Sequence, residues 1–323
     1  MNSHDHWPLR EKLVAQLGLL IVLCQSASTQ VPLFRELARM FDYDRRAPLD
    51  VKEHSVEERE GAKVYDLTYA SPKGGRVTAY LVTPATKGRH AGIIYAHPGA
   101  ADRKAFLPEA LTLARVGAVS LLIDDPSARP AEWRRRMFVL TEPENDHATY
   151  IQAIIDLRRG VDLLAARPDV DAKRLGFVGF SFGADLGGIL AGIERRIKAY
   201  ALMGTGARLT DLWRSGDTPQ LARLRASLTK EQLDKYIETT ARFDSIHYVG
   251  HAAPSAILFQ FGRRDRNWPE KLALEFYQAG SEPKEIKWWD GGHELNDEAM
   301  RHRAEWFRSQ LGIAALRPVR PGM

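Results

Sequence analysis

The stretch Gly176-Phe177-Val178-Gly179-Phe180-Ser181-Phe182-Gly183-Ala184 constrains this chain more than any other. It sets a serine at the centre of Gly-x-Ser-x-Gly, between a strand-like run at Arg174–Val178 and a small-residue, helix-like run at Phe182–Ile193. A serine at the tip of a sharp strand-to-helix turn has strained backbone and crowded neighbours. Glycine two residues to either side removes the Cβ atoms that would collide there. The helix that follows aims free N–H groups at negative charge developing beside the serine. Ser181 is therefore read as a nucleophile.

A serine hydroxyl attacks well only when a base takes its proton and a third group orients that base. Ten histidines are present, and chain position separates them. Asp265 follows the strand-like run Ala256–Gly262, and His293 follows the run Glu285–Trp289 across Asp290-Gly291-Gly292. Both are expected just past the C-terminal ends of strands, where active sites gather in open α/β sheets. The order Ser181, Asp265, His293 matches the triad order on such a scaffold. Asp290 is the rival acid, and its place before two glycines reads as turn-forming. For the oxyanion, the N–H of Phe182 follows from the elbow. The second donor is expected from His97-Pro98-Gly99-Ala100-Ala101, after the strand Ala91–Ala96. Pro98 has no N–H. Gly99 is the first choice and Ala100 its neighbour, with His97 bracing the loop.

These residues resemble the α/β-hydrolase superfamily, in its dienelactone-hydrolase-like and prolyl-oligopeptidase-like esterase branch. The markers are His97-Pro98-Gly99, the run from Asp162-Leu163-Leu164 through Val170–Leu175, the Ser181 elbow, Phe261-Gly262-Arg263-Arg264-Asp265 and Gly291-Gly292-His293. The resemblance covers about Val64 to Leu311. It implies an α/β fold, a mostly parallel sheet with helices on both faces and a helical insertion acting as lid or pocket wall. Relatives usually carry His-Gly where this chain has His97-Pro98, and dienelactone hydrolases proper use a cysteine nucleophile. The implied activity is serine-dependent hydrolysis of a carboxylic ester. A small peptidase or amidase is the alternative, and a non-catalytic binding protein of this fold is a more remote one.

Composition agrees with one catalytic domain. The chain has 323 residues, 44% of them hydrophobic and 27% charged, with a net charge of +5. Such values suit a soluble enzyme with a large core. The cluster Arg134-Arg135-Arg136 is read as a solvated face, and Arg263-Arg264 as able to meet an acidic substrate. No motif calls for nucleic acid, a metal or another cofactor. The expected partner is a small-molecule ester, with no stable membrane anchor.

The ends read differently from the middle. Leu13–Cys24 is uncharged and mostly apolar, follows Arg10 and Lys12, and precedes Ser26-Ala27-Ser28. This is the pattern of a signal peptide over 1–28, which implies export to the periplasm or medium; if it is not cleaved, the protein is cytoplasmic. A run of this length is short for a bilayer span. Residues 29–63 are expected to form a helical lead-in and 64–316 the catalytic domain, with a lid-like insertion over 204–255 and a flexible tail over 317–323. Tyr65–Ala70 and Val77–Thr83 read as a hairpin opening the sheet, and His147–Ala166 as a long helix. Within the insertion, Ala207–Trp213 and Leu221–Thr240 read as helices. Leu212, Trp213, Tyr236 and Phe243, with Trp268 outside it, are candidates for lining the substrate pocket.

Overall fold

The computed structural model describes residues 33–216 and 218–316. The proposed signal peptide over 1–28 and tail over 317–323 lie outside the described residues. A short helix, α1 (Phe34–Arg39), precedes a nine-stranded sheet. Its strands are β1 (Lys52–Arg59), β2 (Ala62–Ala70), β3 (Arg76–Pro84), β4 (His90–Ala96), β5 (Ala118–Ile123), β6 (Val170–Phe180), β7 (Ile197–Met203), β8 (Ala256–Gly262) and β9 (Lys284–Trp289). They lie in the order β1-β2-β3-β5-β4-β6-β7-β8-β9. The block from β5 to β9 is parallel throughout, whereas β3, β2 and β1 each pair antiparallel with their neighbours.

Parallel strands covered on both faces need no polar alternation, and β5 and β8 are buried at every residue. Helices supply the two covers. On one face α3 (Pro143–Ala166) and α4 (Phe182–Ile193) bring Ile154, Leu164, Leu186 and Leu190 into a core with Phe177 and Leu202. On the other face α2 (Leu107–Ala114) and α10 (Asp297–Leu311) bring Leu111, Leu113, Trp306 and Phe307 against Ile93, Val178 and Leu258. Between β8 and β9 runs α9 (Glu270–Ala279).

Two expectations are revised. Of the region 29–63, only Phe34–Arg39 is helical among the described residues, and Lys52–Arg59 is a strand. All eight residues of β1 are exposed, so its sequence KEHSVEER shows no hydrophobic alternation to read. A charged edge of this kind discourages pairing with a further chain. The hairpin β2–β3 is therefore second in the sheet rather than first. In addition, Leu221–Thr240 is two helices, α6 (Pro219–Ala226) and α7 (Lys230–Thr240). The break falls at Thr229, whose side chain caps α7 in a reciprocal box with Gln232.

These two helices, α5 (Leu209–Ser215) and α8 (Ile246–Val249) make up the connection between β7 and β8. A small core of Leu140, Trp213, Tyr236 and Ile237 ties the connection to the loop before α3. Tyr236 also donates to the buried Asp146 carboxylate at 2.8 Å.

Candidate active site

The turn between β6 and α4 leaves no room for side chains at its two glycines. A Cβ on Gly179 would stand 2.3 Å from the Gly183 carbonyl oxygen, and one on Gly183 would stand 2.1 Å from that of Ala96. Ser181 itself takes φ 52° and ψ −118°, a conformation that L-residues rarely adopt. Its amide is tied to the Met203 carbonyl at 2.8 Å. A serine preceding a helix ordinarily caps it, yet this hydroxyl makes no capping bond. Its Oγ lies instead 3.0 Å from His293 Nε2.

Past the end of β9, His293 places Nδ1 2.8 Å from Asp265 Oδ2. The other carboxylate oxygen of Asp265 accepts from the backbone amides of Asn267 at 2.7 Å and Trp268 at 3.1 Å. Asp265 is thus fixed by its own loop with one oxygen left for the imidazole. An ionised Asp265 accepts the Nδ1 proton, which leaves Nε2 as an acceptor facing the serine hydroxyl. Phe180 lies against the imidazole, with ring centroids 4.9 Å apart. Asp290 is turned outward, 78% exposed, and pairs with Arg264 at 3.0 Å.

The loop after β4 stands beside the elbow, where a Cβ on Gly99 would lie 3.8 Å from Phe182 Cβ. Pro98 closes a turn by accepting from the Ala101 amide at 3.3 Å. The buried imidazole of His97 holds the same carbonyl from Nδ1 at 2.8 Å, while its Nε2 accepts from the Asp125 amide at 3.1 Å. Across a trans peptide the N–H points opposite to the C=O, so fixing Pro98 O directs the Gly99 N–H away from His97. Ala100 occupies a left-handed conformation at φ 60°. Phe182, as the first residue of α4, has no carbonyl one turn back within the helix for its own amide.

Ser181 opens into a cavity of about 260 Å³ whose wall includes Trp213 and Trp268, together with Leu212 from the insertion. Tyr236 and Phe243 are not in that wall. Tyr236 packs edge-on behind Trp213, and Phe243 stacks on Tyr150 at 4.9 Å, so these two support the pocket from behind. Phe138, Asn267 and Asp185 line the cavity without having been singled out in the sequence. Phe138 had no periodicity to mark it. Asp185 carried a signal, because it is the only charge in the helix FGADLGGILAGI. Its carboxyl is buried, with neither oxygen closing a hydrogen bond, although the Ser245 amide and hydroxyl face it and partly offset the cost. Burial first, then the nearby Asp244, push its pKa up to about 8. Burial likewise raises Asp244 to about 6.

The sheet order, the elbow and the three side chains that meet at its C-terminal edge define an esterase-type α/β-hydrolase fold. The chain belongs to the acetyl xylan esterase (AXE1) family, whose model matches residues 35–309. It is accordingly a carboxylic ester hydrolase. Among solved structures, it is similar to the acetyl xylan esterase from Paenibacillus sp. R4, with 19% identity and a TM-score of 0.70 over 86% of this chain and 92% of that one. Acetyl xylan esterase 1 from Thermoanaerobacterium sp. JW/SL YS485 aligns with 19% identity and a TM-score of 0.71 over 85% of this chain and 95% of that one. The 2,6-dihydroxy-pseudo-oxynicotine hydrolase aligns with 17% identity and a TM-score of 0.60, covering 83% and 70%. Among the described residues, no helix is long and apolar enough to cross a membrane.

Proposed function

We propose that the chain hydrolyses esters through an acyl-enzyme on Ser181, with His293 as base and Asp265 as its orienting acid. The observation that carries this reading is the continuous hydrogen-bonded path from Ser181 Oγ through His293 to Asp265, at 3.0 and 2.8 Å. As Oγ bonds to the acyl carbon, its proton passes to Nε2. The resulting oxyanion faces the amides of Phe182 and Gly99. Collapse of the tetrahedral species breaks the ester C–O bond, and Nε2 returns the proton to the departing alcohol. Water then repeats the sequence on the acyl-enzyme, releasing the acid and the free serine. No cofactor enters these steps.

The family's name makes an acetyl ester on xylan the first substrate to test. Trp213 and Trp268 are proposed to contact the substrate from the cavity wall. Export through residues 1–28 belongs to the same proposal and rests on sequence alone. It requires secreted material to begin near Thr29, and an intact Met1 in cytosolic protein would refute it.

The test of activity sets wild type beside Ser181→Ala, with acetylated xylan, p-nitrophenyl esters of increasing acyl length and a proline p-nitroanilide. Serine-dependent release of acid from the esters, with no anilide cleavage, is expected. Turnover in Ser181→Ala at the wild-type rate would overturn the assignment, and serine-dependent anilide cleavage would promote the amidase alternative.

A further inference from the structure

A second cavity, of about 380 Å³, adjoins the oxyanion loop and is lined by Gly99, Ala100 and Phe182 on one side and Arg134, Arg135 and Arg136 on the other. The three arginines sit on the irregular segment between β5 and α3, which reads from sequence as an ordinary solvated charge run. Their partners argue otherwise. Arg136 has its own carboxylate, Glu142. Arg134 and Arg135 have no carboxylate within 4.0 Å among the described residues.

Both of these side chains are nevertheless anchored, and each by its Nε. Arg134 Nε donates to the Arg129 carbonyl at 2.7 Å, and Arg135 Nε donates to Gln152 Oε1. The backbone of Arg135 is pinned too, its amide donating to the Pro126 carbonyl at 2.8 Å. The anchors hold the guanidinium groups and leave the Nη ends, the part of the fork that pairs with a carboxylate, unengaged by acid. A site whose donors are fixed before the ligand arrives loses less entropy on binding.

The one carboxylate on the cavity wall, Asp125, has one oxygen held by its own loop and the other buried without a hydrogen-bond partner. Asp125 Oδ1 accepts from the amide and the hydroxyl of Ser127, each at 2.6 Å, and its Oδ2 lies 3.5 Å from His97 Nε2. Positive charge is therefore in excess where the cavity meets the amides proposed to hold the oxyanion. Phe138 ends the arginine segment at φ 56°, a costly conformation for a bulky residue. Its ring packs edge-on against Phe182 at 5.4 Å and lines both this cavity and the one containing Ser181.

We propose that this arginine-lined cavity binds a carboxylate carried by the ester substrate, so that the enzyme favours anionic esters over neutral ones of the same shape. The inference rests on the esterase reading above. Arg134 and Arg135 hold the anion as specificity residues and take no part in proton transfer. The carboxylate belongs either to the acyl part or to the alcohol part of the ester, and matched substrates separate the two.

The experiment compares kcat/KM of the full chain on two pairs, one anionic and one neutral member in each. Mono-p-nitrophenyl glutarate against p-nitrophenyl valerate places the charge in the acyl group. 4-Acetoxybenzoate against its methyl ester places it in the leaving group. In the double variant Arg134→Gln/Arg135→Gln, the anionic-to-neutral ratio is expected to fall about tenfold in one pair, mainly through KM, as two charge contacts are lost. In wild type that same ratio should fall as salt rises to about 0.5 M. Folding of the variant is checked by its thermal transition. Should the double variant not fold, the exposed Arg134→Gln alone is expected to lower the ratio about threefold. Ratios that do not move in either pair overturn the proposal while leaving the esterase reading intact. Absence of serine-dependent turnover on the neutral esters as well would instead overturn both.

Discussion

Asp265 meets the His293 imidazole at 2.8 Å with one carboxylate oxygen, while backbone amides two and three residues further along its own loop occupy the other. Asp290, closer to His293 in sequence, is exposed and paired with Arg264. Replacing Asp265 by Asn keeps the shape but puts an amide where a carboxylate accepts the Nδ1 proton, which favours the wrong tautomer. We expect Asp265→Asn to lower kcat by about 10⁴-fold. Asp290→Asn should leave kcat within about twofold, since exposed ion pairs contribute little. Parallel kcat measurements on the two variants decide which acid serves the histidine.

At Ser181, loss of the hydroxyl and relief of backbone strain are separable. Ser181→Ala and Ser181→Gly should both lower kcat by about 10⁶-fold, because neither retains a nucleophile. Alanine keeps the Cβ that makes φ 52° and ψ −118° unfavourable, whereas glycine removes it. Thermal unfolding should accordingly place the glycine variant above the alanine variant, by about 1 kcal/mol once the extra entropy of an unfolded glycine is deducted. A glycine variant that unfolds below the alanine variant, by the entropy of the unfolded glycine alone, would mean that the elbow carries no strain.

The glycine two residues after Ser181 admits no such tolerance. A Cβ at Gly183 meets backbone oxygens, Ala96 at 2.1 Å and His97 at 2.8 Å, not the end of a mobile side chain. Accommodating it means moving α4 away from β4 and the loop that follows it. Gly183→Ala is expected to cost at least about 3 kcal/mol by denaturant titration and to abolish ester turnover. A variant that is as stable and as active as wild type would contradict the packing described for the elbow.

The centre of this site was legible in sequence because its chemistry is tied to short-range rules. The turn at Ser181 needs Gly179 and Gly183 beside it, Asp265 follows the apolar strand β8, and His293 follows β9 across a Gly-Gly turn. The pocket wall obeyed no such rule. Tyr236 and Trp213 both look like packing aromatics on helical segments, and only the insertion's folding puts one in the wall and the other behind it. Arg135 next to Arg134 reads as solvated charge until Pro126 and Gln152 are seen to hold it. The edge strand β1 was hidden for the opposite reason: with every residue exposed, no hydrophobic period survives to mark it.

Asp185 links the site to the pH dependence of stability. Its folded pKa is raised by burial, to about 8, whereas the unfolded carboxyl titrates near its ordinary value of about 4. Between these limits the folded state binds the extra proton, so stability decreases as pH rises from about 4 to about 8 and then levels off. Asp185→Asn keeps a neutral group of the same shape and cannot ionise. The variant is expected to match wild type near pH 4, to exceed it by up to about 5 kcal/mol near pH 8, and to show the flatter profile between. Melting temperatures across that range measure the difference directly. Parallel wild-type and variant curves would show that Asp185 is charged in the folded protein, with a partner supplied in solution.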